Sequence, residues 1–112
     1  MKILNRAKSI YSDEYLISED IKFELGLMYF RINGKWKECD KDTRSINFED
    51  MLDSQGNKIF ASLNEDGKGG DIVKIRDSDF KYVYKYIKGK FMLDSLDLMN
   101  PYLLFEKIGI QE

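Results

Sequence analysis

Aromatic and basic residues alternate in residues 80–91, the part of the chain best suited to bind another molecule. Aromatic rings stack on unpaired bases and lysines neutralise phosphates, so such a segment suits a single-stranded nucleic acid. The candidate residues for binding a partner protein or a nucleic acid are Lys81, Tyr82, Tyr84, Lys85, Tyr86, Lys88 and Lys90. An ordinary half-buried strand has the same pattern, because alternate side chains would point the tyrosines to a core and the lysines to solvent. We favour the strand and keep nucleic-acid binding as the alternative.

Histidine, the residue on which most hydrolase mechanisms depend, is missing. The chain has no histidine, which excludes the Ser-His-Asp and Cys-His arrangements and the common zinc sites. Cys39 falls on a predicted strand and is expected to be a small buried residue. The acidic pairs Asp77 with Asp79 and Glu65 with Asp66 could serve acid–base catalysis or bind a cation, but solvated turns explain them better. We predict no enzymatic activity, no metal and no cofactor.

The glycine-rich stretch 67–70 invites comparison with a phosphate-binding loop. That motif needs Gly-x-x-x-x-Gly-Lys, then Ser or Thr, then a helix. Here Gly67-Lys68-Gly69-Gly70 is followed by Asp71 and a strand-like run. The stretch is therefore predicted to be a flexible connection.

Length and charge narrow the class of protein. The 112 residues fit one domain, 1–112, and 18 basic against 20 acidic residues create no overall field for nucleic acid or membranes. Basic residues are concentrated between Ile72 and Phe91. No apolar run approaches the roughly 20 residues of a membrane span, and no signal peptide follows Met1. With a lone cysteine, these features predict a cytoplasmic protein that does not associate with membranes.

The clearest local structure is a β-hairpin around Asn33-Gly34. The flanking runs, Leu27–Ile32 and Lys35–Cys39, read as strands, and Asn-Gly adopts the positive φ angles of a type I′ turn. Trp36, the only tryptophan, is expected to be at least partly buried in this hairpin.

Other elements are assigned from apolar spacing and turn residues. Helices are considered in three places: residues 15–21, where a strand is equally compatible, Ile46–Leu52, and a turn from Asp94 or Ser95 to Met99. The remaining predicted strands are Lys58–Ala61, Asp71–Ile75, Phe80–Ile87, Lys90–Leu93 and Tyr102–Ile110. The predicted fold is mainly β, a small antiparallel sheet or partial barrel with one or two short helices.

Three stretches carry a family resemblance: Leu52–Phe60 with its Asp-x-x-Gly turn, Gly70–Ile75, and Tyr84–Leu93. Together they resemble the YopX family of phage and prophage proteins. The segment Ala61–Gly69 departs from the family, which has a much shorter connection there. The resemblance implies a mainly β fold and a phage or prophage origin, and it implies no catalytic residues.

Two functions follow as hypotheses. The first is a phage- or prophage-encoded, non-enzymatic accessory protein that binds a host or phage protein, with inhibition of a host system as one form of that activity. The alternative is a single-stranded nucleic-acid-binding domain that uses the Lys/Tyr-rich strand pair 80–91.

Overall fold

The computed structural model describes residues 2–48, 51–75, 81–93, 96–97 and 105–112. Its regular structure is almost entirely β, which confirms the predicted fold class. The strands are β1 (Ile3–Lys8), β2 (Tyr15–Ser18), β3 (Ile21–Glu24), β4 (Leu27–Ile32), β5 (Lys35–Cys39), β6 (Ser45–Phe48), β7 (Ala61–Ser62), β8 (Asp71–Ile75), β9 (Lys81–Ile87), β10 (Lys90–Leu93), β11 (Leu96–Asp97) and β12 (Phe105–Ile110).

The strands form two sheets. The larger one is curled like half a barrel, with strand order β11-β10-β9-β7-β6-β1-β2, and β8 pairs with both β9 and β12. All of these pairings are antiparallel except that of β7 with β9. The smaller sheet has three strands in the order β3-β4-β5. Short antiparallel connections thus account for most of the topology.

Each sheet covers a hydrophobic cluster. Beneath the larger sheet, buried side chains pack around Tyr84, and they are Met51, Ile59, Ala61, Val73 and Leu93. The second cluster joins β1 and β2 to the smaller sheet, with Ala7, Leu16, Met28, Phe30 and Cys39 as its buried members. The smaller sheet is therefore fixed to the rest of the protein by shared apolar burial.

The predicted type I′ turn is confirmed. Asn33 has φ 52° and Gly34 has φ 80°, and Ile32 pairs with Lys35 across the turn. Positive φ at both central residues matches the right-handed twist of the flanking strands. The turn at Lys88-Gly89 repeats this geometry, with φ of 52° and 79°.

Replacing Gly34 with Val should destabilise the fold by about 1–2 kcal/mol, because a β-branched residue resists positive φ. A Cβ at this position would meet no atom within 4 Å, so the effect isolates backbone strain. Gly34→Asn is the matched control, since Asn tolerates this conformation. Chemical denaturation measures both variants, and equal stability of Gly34→Val and wild type would contradict the turn assignment.

The helix predictions are wrong where the structure describes the residues. Residues 15–18 form a strand, the alternative left open for that stretch. Residues 45–48 also form a strand, and its consecutive buried residues hid the alternation of strand faces. Asn47 is buried there because its side-chain amide donates to the carbonyl oxygens of Met51, at 2.9 Å, and Ile59, at 2.8 Å. Leu96 and Asp97 lie in a strand, and the rest of the helix predicted from Asp94 or Ser95 to Met99 falls outside the described residues.

The helical structure in the described ranges is one 3₁₀ turn, Lys41–Thr43, at a position where no helix was predicted. Asp40 caps it, since its carboxylate accepts a hydrogen bond of 2.9 Å from the backbone N–H of Asp42. This turn connects β5 to β6 and so links the two sheets.

The other strands match their predictions to different degrees. Asp71–Ile75 and Lys90–Leu93 have the predicted bounds, whereas the strand predicted at Lys58–Ala61 is found at Ala61–Ser62. Phe80 and residues 102–104 of two further predicted strands lie outside the described residues, and the rest of those strands is found at Lys81–Ile87 and Phe105–Ile110.

The glycine-rich stretch is not a flexible connection. The N–H of Gly69 donates to the carbonyl oxygen of Gln111 at 2.7 Å, and the N–H of Gly70 donates to that of Gly67 at 3.0 Å. A Cβ on Gly69 would overlap the carbonyl oxygen of Thr43. Glycine is required here because the backbone passes close to a neighbouring segment.

Candidate functional site

The tyrosines of the Lys/Tyr segment belong to the hydrophobic core. Tyr84 is fully buried, and Tyr82 and Tyr86 are half-buried against the same cluster. The ring centroid of Tyr86 lies 4.6 Å from that of Phe91 and 5.4 Å from that of Phe48. These rings pack against other rings, so the structure does not assemble them into a platform for bases.

The lysines of the segment lie apart from the rings. Strand alternation puts Lys81 and Lys85 on the face opposite the tyrosines, and the pairing of Ile87 with Lys90 places Lys90 on that same face. Lys85 is half-buried and its ammonium donates to the carbonyl oxygen of Glu65 at 3.0 Å. Lys88 lies in the turn. A nucleic-acid strand bound to the lysines would therefore not reach the tyrosine rings.

A groove lies between the smaller sheet and the segment after β1. Its volume is about 480 Å³. We call it the Trp36 groove, and its lining residues are Ser9, Tyr11, Ser12, Glu14, Leu16, Tyr29, Trp36, Lys37 and Glu38. Sequence reasoning did not identify this site.

Hydrogen bonds fix the wall of the groove formed by residues 9–14. The N–H of Ser9 donates to the carbonyl oxygen of Glu14 at 2.9 Å, and the hydroxyl of Ser9 accepts from the N–H of Tyr11 at 3.1 Å. The N–H of Ile10 donates to the carbonyl oxygen of Glu38 at 3.4 Å, which joins this wall to β5. The Trp36 groove is thus held by the backbone of both walls.

Several large apolar side chains are exposed around the groove. Tyr11 is 81% exposed and Trp36 is 40% exposed, so the tryptophan is partly buried as predicted and still offers part of its ring to solvent. A smaller cleft of about 190 Å³ shares Glu38 as a lining residue and includes the exposed side chains of Ile10 and Leu27. The two depressions are therefore neighbours that meet at Glu38.

The aromatic rings of the groove already contact a cation of the protein itself. The ammonium of Lys22 lies 4.7 Å from the ring centroid of Trp36 and 5.4 Å from that of Tyr29. Lys22 also pairs with Glu24 at 3.3 Å. By contrast, Glu14 and Glu38 have no ion pair with any described residue.

A polar cluster between β1, β8 and β12 has a buried ion pair at its centre, Arg6 with Asp71. The Arg6 Nη2 donates to Asp71 Oδ1 at 2.8 Å and to the carbonyl oxygen of Gly69 at 2.9 Å. The other carboxylate oxygen, Asp71 Oδ2, accepts from the N–H of Phe60 at 2.7 Å. Lys107 Nζ lies 3.5 Å from Asp71 Oδ1. With Arg6 and Asp71 both buried, this cluster connects strands and offers no access to a substrate.

Asp53 is a further buried carboxylate with a structural role. Burial alone would raise its pKa, but hydrogen bonds from the backbone N–H groups of Lys107, Asn57 and Gln55 outweigh that effect and hold the pKa below its usual value. The three N–H to oxygen distances are 2.9, 2.8 and 2.9 Å. Asp53 thus closes its own turn and attaches it to β12.

Replacing Asp53 with Asn should destabilise the protein by about 1–3 kcal/mol at pH 7, because the charge is lost and one of the two acceptor oxygens becomes an NH2 group that faces N–H donors. A lowered folded-state pKa stabilises the protein above the unfolded value near 4, and this contribution is lost as pH falls through the folded pKa. The stability difference between wild type and Asp53→Asn should therefore shrink below about pH 4.

Denaturant titrations at several pH values test this expectation. Asp13→Asn is the control, since the Asp13 side chain is fully exposed and its variant should follow the wild-type pH profile. A difference between wild type and Asp53→Asn that stays constant from pH 7 to pH 3 would contradict the assignment.

The only cysteine is not an activated nucleophile. Cys39 is 3% exposed, which confirms the predicted burial. Burial is the main cause that raises the pKa of its thiol to about 11. A thiol with that pKa is protonated at neutral pH, and the thiolate is the reactive form.

No protein-family model, curated protein or solved structure matches the chain. The resemblance to the YopX family stays a prediction. Among the described residues, no three His, Cys, Asp or Glu side chains are grouped so that they could hold a metal ion. The same residues include no helix that is long and apolar enough to span a membrane.

Proposed function

We propose that this chain is a non-enzymatic accessory protein that binds another protein through the Trp36 groove. The observation that carries the proposal is the exposure of Tyr11 and Trp36 around a groove with fixed walls. Exposed aromatic side chains of this kind are the usual anchors of protein interfaces, where tryptophan and tyrosine contribute much of the binding energy.

The walls of the groove are already ordered before a partner binds. Its wall at residues 9–14 is held by internal hydrogen bonds, and Trp36 follows a tight type I′ turn. A surface that is already ordered loses less conformational entropy on association. This low entropy cost supports the Trp36 groove as the contact site.

The resemblance to the YopX family extends the proposal. On that basis the protein is encoded by a phage or prophage, acts in the cytoplasm of the host cell and binds a host or phage protein. Inhibition of a host system is the form of activity that a small non-enzymatic binder can exert by covering a functional surface of its partner.

A single-stranded nucleic acid is the less favoured partner. Tyr84 is buried and the lysines lie on the opposite face of the strand, so stacking and phosphate contacts are not combined. We expect no measurable binding of an unstructured oligonucleotide at physiological salt.

Affinity capture from lysate of the organism that encodes the chain tests the proposal. The baits are the wild type, the double variant Tyr11→Ala/Trp36→Ala, and Ile108→Ala, whose side chain is 41% exposed on β12 and serves as the matched control. After nuclease treatment, a specific protein should be retained by wild type and control, and its capture by the double variant should fall at least tenfold.

Two outcomes would contradict the proposal. One is a partner captured equally by the double variant, which would place the contact surface elsewhere. The other is a partner lost after nuclease and after replacement of Lys88 and Lys90 with Gln, which would favour the nucleic-acid alternative.

A further inference from the structure

We infer that the Trp36 groove receives a cationic side chain, lysine or arginine, from the partner protein. This inference rests on the proposed function and adds the chemistry of the bound group. It is drawn from the aromatic rings, the carboxylates and the ion pairs of the groove.

Aromatic rings provide the first part of the binding surface. Tyr11, Tyr29 and Trp36 all line the groove. The face of such a ring attracts a cation placed within about 6 Å of its centroid. Lys22 shows that two of these rings act in this way, because its ammonium lies 4.7 Å from Trp36 and 5.4 Å from Tyr29. Tyr11 is 81% exposed, so its ring remains accessible to a second cation.

Two carboxylates provide the second part. Glu14 and Glu38 line the groove, and neither has an ion pair with the described residues. Glu38 is half-buried as a residue and has no counterion among the described residues. A guanidinium or ammonium group from a partner would supply the missing positive charge and form charge-assisted hydrogen bonds.

Lys37 is the one basic side chain among the lining residues. It is exposed, and its long stem allows its ammonium group to remain in water. Lys22, which contacts the rings, is paired with Glu24, so the two carboxylates against Lys37 leave the groove with a net negative charge. Its charge and its rings are thus both complementary to a cation, and neither suits an acidic segment.

Peptides of the form Gly-Ser-Gly-X-Gly-Ser-Gly test the inference, with X as arginine, lysine, citrulline, norleucine or glutamate. Trp36 is the only tryptophan and lines the groove, so its fluorescence reports occupancy directly. The arginine and lysine peptides should change this fluorescence saturably. The uncharged citrulline and norleucine peptides should bind at least tenfold more weakly, since they lack the charge that rings and carboxylates recognise.

Variants separate the carboxylates from general charge effects. Glu14→Gln/Glu38→Gln should lower the affinity for the arginine peptide about tenfold at unchanged melting temperature. Glu65→Gln removes a negative charge from the loop next to Lys85, at a residue that does not line the groove, and should leave the affinity unchanged. Equal binding of norleucine and lysine peptides, or no saturable change with any cationic peptide, would overturn the inference.

The failure of this inference is distinguishable from failure of the proposed function. If capture of the protein partner requires Tyr11 and Trp36 but is unaffected by Glu14→Gln/Glu38→Gln, the proposed function holds and a cationic contact is refuted. If the carboxylate variant and the aromatic variant lose the same partner, the protein-binding function and the cationic contact are both supported.

Discussion

Replacing Asp71 with Asn should destabilise the protein by about 3–5 kcal/mol, because it leaves the buried guanidinium of Arg6 without its counterion. Arg6 and Asp71 side chains are 3% and 0% exposed, so water cannot replace the lost partner. The ion pair also links β1 to β8. Urea denaturation at pH 7, followed by far-ultraviolet circular dichroism, measures the change in the free energy of unfolding.

A surface ion pair provides the control for Asp71. Lys74 and Glu106 lie 3.5 Å apart with both side chains more than a third exposed, and Glu106→Gln should change stability by less than about 1 kcal/mol. Replacing both buried partners, as Arg6→Met/Asp71→Leu, should recover much of the stability lost by Asp71→Asn, since no unpaired charge remains. If Asp71→Asn is no more destabilising than Glu106→Gln, the buried pair does not have the role described here.

Replacing Tyr84 with Ala should also destabilise the protein by about 3–5 kcal/mol, because it removes a fully buried ring and leaves a cavity. Tyr84 stacks on Phe91 with a centroid separation of 5.6 Å and belongs to the central cluster of the larger sheet. The melting temperature should fall by many degrees in thermal unfolding.

Lys81→Ala is the matched control on the same strand, since Lys81 is exposed. Its melting temperature should stay close to that of the wild type. A Tyr84→Ala variant that folds normally but loses affinity for an oligonucleotide would contradict the assignment of this tyrosine to the core and revive nucleic-acid binding.

Local signals in the sequence were sufficient for part of the fold. A type I′ turn requires positive φ at two successive residues, and Asn33-Gly34 adopts these angles readily. The position of this dipeptide therefore predicted the hairpin and its register. The alternation through residues 81–87 correctly predicted a strand with its tyrosines toward the core. Both features depend on neighbours in the chain, which is why sequence reasoning could reach them.

Features that depend on distant segments were not predictable in this way. Arg6 and Asp71 are 65 positions apart, and nothing in either local pattern indicates that they meet. The strand at residues 45–48 was misread because Asn47 is buried by hydrogen bonds to residues outside the strand. The alternation rule assumes that a strand has one polar, exposed face and one apolar, buried face. In this strand three consecutive residues are buried, so the two faces cannot be told apart in the sequence.

The Trp36 groove was missed for the same reason. It exists because residues 9–14 return to the edge of β5, where Ile10 bonds to Glu38. The residue pattern left the N-terminal stretch unresolved between helix and strand, and the expected partial burial of Trp36 did not indicate which part of the ring stays exposed. An exposed aromatic side chain cannot be told from a core one until its neighbours in space are known.

The most direct test of the proposed binding site is photo-crosslinking inside the organism that encodes the chain. Tyr11, at 81% exposure, is replaced with p-benzoylphenylalanine, and Lys81 is replaced in the same way as the control on the larger sheet. We expect one discrete protein adduct from position 11, none from position 81, and loss of the adduct when Trp36→Ala is added. A protein adduct only from position 81, a nucleic-acid adduct, or no adduct from position 11 would contradict a protein-binding role for the Trp36 groove.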